Sequence, residues 1–136
     1  MLQRLPALAF EPDAALPPED VVKIQLDLLQ NDDLLPYNAG LRAAYAFASP
    51  ASRSTSGPFE RFIALLETPG YAPLIGFTQA QLDQMIASKR KAYQRAHVLQ
   101  RSGEWVTYLF ILSRQQEPPY IGCWMTDAVI RVSEAG

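Results

Sequence analysis

The stretch from Tyr93 to Leu112 constrains the fold more than any other part of the 136-residue chain. Two runs rich in β-branched and aromatic residues flank Ser102-Gly103, and that pattern predicts a hairpin. A two-residue loop at Ser102-Gly103 sets Arg101 opposite Glu104 and His97 opposite Tyr108. Side chains alternate between faces, so Tyr93, Arg95, His97 and Leu99 then share a face with Leu112, Phe110, Tyr108 and Val106. The other face carries Ala92, Gln94, Ala96 and Val98 with Ile111, Leu109 and Thr107, and Gln100 with Trp105. The first face is bulky, polar and aromatic, and it holds the only histidine. It is expected to line a cavity or groove. A three-residue loop would break this pairing and part His97 from Tyr108.

Composition narrows the class. Hydrophobic residues make up 49% and charged residues 19%, a globular balance with a thin charged surface that favours self-association. The length fits one domain. A net charge of −2 argues against a nucleic-acid partner. One cysteine, Cys123, and one histidine exclude an internal disulfide and any Cys/His metal cluster, leaving only a carboxylate site; with no metal signature and no glycine-rich phosphate loop, no metal and no cofactor are expected. The lone thiol points to a reducing compartment. No apolar run approaches the length of a membrane span. The N-terminal apolar stretch is broken by Pro6 and followed by Glu11, a poor secretion signal. The expectation is a soluble, cytoplasmic protein without a membrane partner.

Residues 1–17 read as an irregular arm, because Pro6, Pro12, Pro17 and Pro18 remove amide donors. Leu5, Leu8 and Phe10 are free to dock on the body or a partner. A domain over 18–136 follows. Pro17-Pro18-Glu19-Asp20 opens a helix whose stripe is Val21, Val22, Ile24, Leu26, Leu28 and Leu29, ending at Asn31-Asp32-Asp33. Residues 36–40 form a turn. A short helix from Leu41 to Ala48 is stopped by Ser49-Pro50. Ala51 to Gly57 reads as a loop, and a third helix carrying Phe59, Phe62, Ile63 and Leu66 starts at Pro58. Residues 78–87 are read as a short strand. Strands over 90–101, 104–115 and 119–127 complete an α+β fold: three helices on a curved antiparallel sheet of about four strands. Tyr120 to Met125 is read as a strand buried on both sides, with Gly122 marking a bulge or a close backbone approach.

Several segments in this order resemble one family. They are Val21-Val22-Lys23-Ile24-Gln25-Leu26-Asp27, Ala46-Phe47-Ala48-Ser49-Pro50, Phe59-Glu60-Arg61-Phe62, Tyr71-Ala72-Pro73-Leu74, Tyr93-Gln94-Arg95 and Ile121-Gly122-Cys123-Trp124. Over residues 19–127 the chain resembles the NTF2-like (cystatin-like, SnoaL-like) superfamily, and within it the DUF4864 family of unknown function. The resemblance implies a cone-shaped fold with a pocket between the long helix and the sheet, and frequent homodimerisation through the sheet. It implies no activity and no catalytic residues.

The candidate ligand-binding residues are Tyr45, Phe62, Tyr93, Arg95, His97, Tyr108 and Trp124. Histidine is the side-chain type that titrates near neutral pH, which singles out His97; Tyr108 can donate to an oxyanion, and Arg95 can hold a carboxylate. The plainer alternative makes His97 a hydrogen-bonded sheet residue and Arg95 a surface or interface charge. A general base would have to come from Asp83 or Asp127. Cys123 in an apolar strand reads as an inert buried thiol rather than a nucleophile. The cations Lys89, Arg90, Lys91, Arg95 and Arg101 are split between two faces, which suits nucleic acid poorly. The leading expectation is a cavity that binds a small apolar or amphipathic molecule, with no catalytic residues. The alternatives are an assembly factor using the sheet face around Trp105 and Leu109, and an isomerase- or cyclase-like enzyme.

Overall fold

The computed structural model describes residues 11–32 and 38–133. Leu5, Leu8, Phe10 and the turn residues 36 and 37 lie outside them. The described part is α+β, with four helices packed against an open antiparallel sheet. The helices are α1 (Pro18–Gln30), α2 (Ala39–Ala46), α3 (Pro50–Ser56) and α4 (Phe59–Leu66), followed by a 3-10 turn at Ala72–Leu74. The strands are β1 (Gln79–Leu82), β2 (Ile86–Ala87), β3 (Lys91–Leu99), β4 (Trp105–Arg114) and β5 (Trp124–Val132). Their order is β1-β3-β4-β5, with β2 also paired to β3.

α1 forms as its sequence directs. Pro17 stands at the N-cap, Pro18 opens the helix, and Glu19 and Asp20 face the positive end of its dipole. Its buried stripe is Val21, Val22, Gln25, Leu26, Leu28 and Leu29. α2 crosses α1 closely at Gly40, where a Cβ would collide with the carbonyl oxygen of Leu28. Buried Asp32 accepts the Leu41 amide at 2.9 Å and so satisfies an otherwise orphaned donor of α2. α3 was not expected, because Ala51 to Ser56 carry no apolar stripe. Its cause is local: the Ser49 hydroxyl accepts the Ser52 amide and Pro50 occupies the first turn.

A backbone bridge ties the helices to the sheet. Thr126 at the edge of β5 donates its amide to Phe47 and accepts the Ser49 amide, forming a parallel bridge across Ala48. Phe47 is fully buried there. Behind α1 and α2 the inner sheet face carries Ala92, Ala96 and Val98 from β3 and Val106, Tyr108, Phe110 and Leu112 from β4, all in the core.

The β3–β4 register departs from expectation by one residue. Gln100 donates to Glu104 and Gly103 donates to Gln100, leaving a three-residue loop, Arg101–Ser102–Gly103. Gly103 takes φ +94°, the left-handed residue that ends such loops. His97 therefore lies opposite Thr107, and Tyr108 lies opposite Ala96. A slip of one residue puts the two strands' side chains in the opposite combination. Tyr93, Arg95 and His97 share the outer face with Ile111, Leu109 and Thr107, while Tyr108 and Phe110 belong to the inner face with Gln94 and Ala96.

The last strand also begins later than expected, at Trp124. Gly122 turns at φ +83° just before it, and Ile121 is exposed rather than buried. The expected close approach at Gly122 is present: a Cβ there would come within 3.3 Å of Ala14. The bulge sits elsewhere, between Ile111 and Leu112, with Asp127 as the extra residue of β5.

Directly opposed residues admit a cross-strand disulfide, whereas residues one step out of register point to opposite faces. The double variant Arg95→Cys/Leu109→Cys is expected to oxidise to an intramolecular disulfide. Arg95→Cys/Phe110→Cys is expected to stay reduced. Thiol counting by mass spectrometry distinguishes the two, and the converse result would restore the two-residue loop.

Candidate functional site

A cavity of about 470 Å³ lies between the helices and the β5 side of the inner sheet face. Gln25 and Leu29 of α1, Ala44 of α2, Ser52 and Thr55 of α3, and Phe62, Leu65 and Leu66 of α4 form its helical walls. Phe110 and residues 126–130 form the sheet side, and Tyr71 and Leu74 close the end between them. Small-molecule sites typically span about 300–1,000 Å³, mostly apolar with a few placed polar groups. This cavity has that size and that lining.

Its polar centre is a pair reached from distant parts of the chain. The Thr126 hydroxyl donates to Gln25 Oε1 at 2.5 Å, and Gln25 Nε2 donates to the Ala44 carbonyl at 3.3 Å. Both side chains are buried, at 6% and 5% exposure. An amide nitrogen carries two hydrogens, so Gln25 keeps one beyond its bond to Ala44. Asp127 also borders the cavity, but its carboxylate turns to the outer face. There Ser113 donates to Oδ1 at 2.9 Å and Lys91 pairs with Oδ2 at 3.1 Å. The bulge at this point makes that turn possible.

Of the seven residues expected to line a site, Phe62 borders this cavity. Tyr45 stands behind it. Its ring packs on Phe62 and Phe59 at 5.2 and 5.5 Å, the Arg53 guanidinium lies 4.9 Å over it, and its hydroxyl donates to Gly57. This cluster locks α2, α3 and α4 together. Trp124 is buried at the start of β5 and Tyr108 in the core, both outside the cavity wall. Tyr93, Arg95 and His97 are carried to the outer face by the one-residue shift.

His97 joins a chain of three polar side chains there. Its Nε2 lies 3.0 Å from Asp83 Oδ1 and its Nδ1 lies 2.7 Å from Thr107 Oγ1. The residue types match a relay that activates a hydroxyl. The placement does not, because Thr107 is only 3% exposed, and the groove it borders, with Trp105, Val106 and Arg131, is lined by neither His97 nor Asp83. The cluster instead pins the end of β1 to β3 and β4. Asp83 thus meets His97, but on the side away from the cavity.

Among the described residues two groups have altered proton affinity. Burial pushes the Tyr108 phenol up to about 12, with Arg131 opposing the shift and Tyr71 adding to it. Its hydroxyl donates to the Gly70 carbonyl at 2.7 Å, so it serves packing and turn placement. Burial, with Asp13 nearby, raises the Cys123 thiol above its ordinary value, which disfavours the nucleophilic thiolate. Among the described residues no group of three or more His, Cys, Asp or Glu is arranged to hold a metal ion. No described helix is long and apolar enough to cross a membrane.

Gln25, Tyr71, Phe110 and Thr126 were absent from the expected site. Gln25 carried a signal: it falls on the buried stripe of α1, four residues after Val21 and four before Leu29. A lone amide in such a stripe marks a buried polar centre. Comparison of the chain with protein-family models, with curated proteins and with solved structures finds no match.

The unfolded chain ionises Tyr108 from its ordinary value near 10, whereas the native state holds the proton to about 12. The folded state therefore binds more protons in that window, and its stability falls as pH rises from 10 to 12. Tyr108→Phe should remove this tyrosine's part of the fall. It should also cost about 1–2 kcal/mol at neutral pH by orphaning the Gly70 carbonyl. Urea unfolding of both proteins at neutral pH and between pH 10 and 12 checks both effects.

Proposed function

We propose that this chain is an NTF2-like domain that binds a small apolar or amphipathic molecule in the cavity between its helices and sheet. The observation that carries this reading is the roughly 470 Å³ cavity, apolar apart from the Gln25–Thr126 pair and the small polar side chains of α3. Binding without catalysis is favoured over an isomerase or cyclase. Among the described residues the carboxylate bordering the cavity, Asp127, is already held by Lys91 and Ser113 on the far side of β5, which leaves no free general base among them at the wall. The lone buried thiol supports a cytoplasmic setting.

A second reading rests on a separate observation. The outer sheet face presents Tyr93, Trp105 and Ile130 at 40%, 47% and 45% exposure, with Leu109 and Ile111 between them. Apolar side chains grouped on an uncovered face suit a protein interface, and we read it as the contact of a homodimer.

Nile red should bind one molecule per chain with blue-shifted emission. Val129→Phe, which fills the cavity from β5, should abolish that binding while leaving the circular dichroism unchanged. Dye binding unaffected by the variant would contradict the cavity reading. Sedimentation should give a dimer, and Tyr93→Lys/Leu109→Lys should convert it to a monomer that still binds dye. A monomeric wild type would contradict the second reading alone.

A further inference from the structure

The charge pattern of the cavity selects among apolar ligands. Among the described residues its wall carries no lysine, arginine or histidine, so a carboxylate or phosphate inside would be a buried anion without a counter-charge. A cation fares little better. Both oxygens of Asp127 are engaged outside the cavity, by Ser113 and Lys91. What the wall offers is neutral hydrogen bonding, from Ser52 and Thr55 on α3 and, at its buried centre, from the Gln25–Thr126 pair. Gln25 keeps an amide hydrogen beyond its bond to Ala44, and the Thr126 oxygen, which donates to Gln25, keeps its lone pairs. These two buried groups supply one donor and one acceptor side by side. An uncharged hydroxyl matches both at once, because it accepts from the amide and donates to the threonine.

Resting on the cavity reading above, we propose that the ligand is a neutral molecule with an apolar body and a single hydroxyl or comparable uncharged polar group, seated on Gln25 and Thr126. Carboxylic acids and amines of the same body are rejected as ions. Discrimination then comes from the cost of stripping water from a charge that finds no partner, and not from shape.

Calorimetric titration of the full chain with decan-1-ol, decanoate and decylammonium at neutral pH tests this. Decan-1-ol should bind at least roughly tenfold more tightly than either ion, since one unpaired buried charge costs more than that factor. Gln25→Leu and Thr126→Val should each weaken decan-1-ol severalfold more than they weaken Nile red. Decanoate or decylammonium binding as tightly as decan-1-ol overturns the selectivity and leaves the cavity reading standing. Unchanged decan-1-ol affinity in both variants overturns the assignment of the polar group to this pair. If neither Nile red nor any of the three decyl compounds binds, the cavity reading fails, and this inference with it.

Discussion

Gly103 closes the β3–β4 loop at φ +94°, and the pairing it sets decides which side chains face the helices. With three residues in the loop, Ala96 meets Tyr108 and Gln94 meets Phe110 on the inner face. Small residues on β3 thereby leave room for large aromatic ones on β4, and α1 and α2 pack on the combined surface. A one-residue slip of β3 against β4 would turn Ala96 out of that layer and put His97 beneath the helices. The core, the cavity and the outer face all descend from this pairing.

The second constraint is the bridge between Ala48 and Thr126. It holds the α2–α3 junction on the edge of β5, while the aromatic cluster of Tyr45, Phe59 and Phe62 holds α4 against α2. α3 meets β5 beside this bridge, whereas α4 stands off from β5 across the cavity. Thr126 takes part in both arrangements, with its backbone in the bridge and its hydroxyl on Gln25. A ligand on this pair would therefore be read by the residues that join helices to sheet.

Much of the fold was legible from local chemistry. The prolines and acids before Val21, the apolar stripe of α1 and the long hairpin follow from spacing and turn residues, while the single strand read over 78–87 is split into Gln79–Leu82 and Ile86–Ala87. α3 escaped because its cause is a two-residue start, Ser49-Pro50, and not a periodic stripe. The register escaped because Ser102-Gly103 is compatible with two loop lengths, and the choice depends on packing inside the sheet. The site was less legible than the fold. Phe62 stood out as an aromatic on a helical stripe, but the polar centre joins residues 25 and 126. Their meeting is a product of topology, and only the buried position of Gln25 hinted at it.

The decisive measurement is an isotope-filtered NOE experiment on methyl-labelled protein with unlabelled decan-1-ol. Contacts to the methyl groups of Leu29, Leu66, Leu74 and Val129, with none to Leu109 or Ile111, are the predicted result, because the first four border the cavity and the last two lie on the outer face. Contacts to Leu109 and Ile111 with silent cavity methyls would place the ligand on the outer sheet and contradict the account.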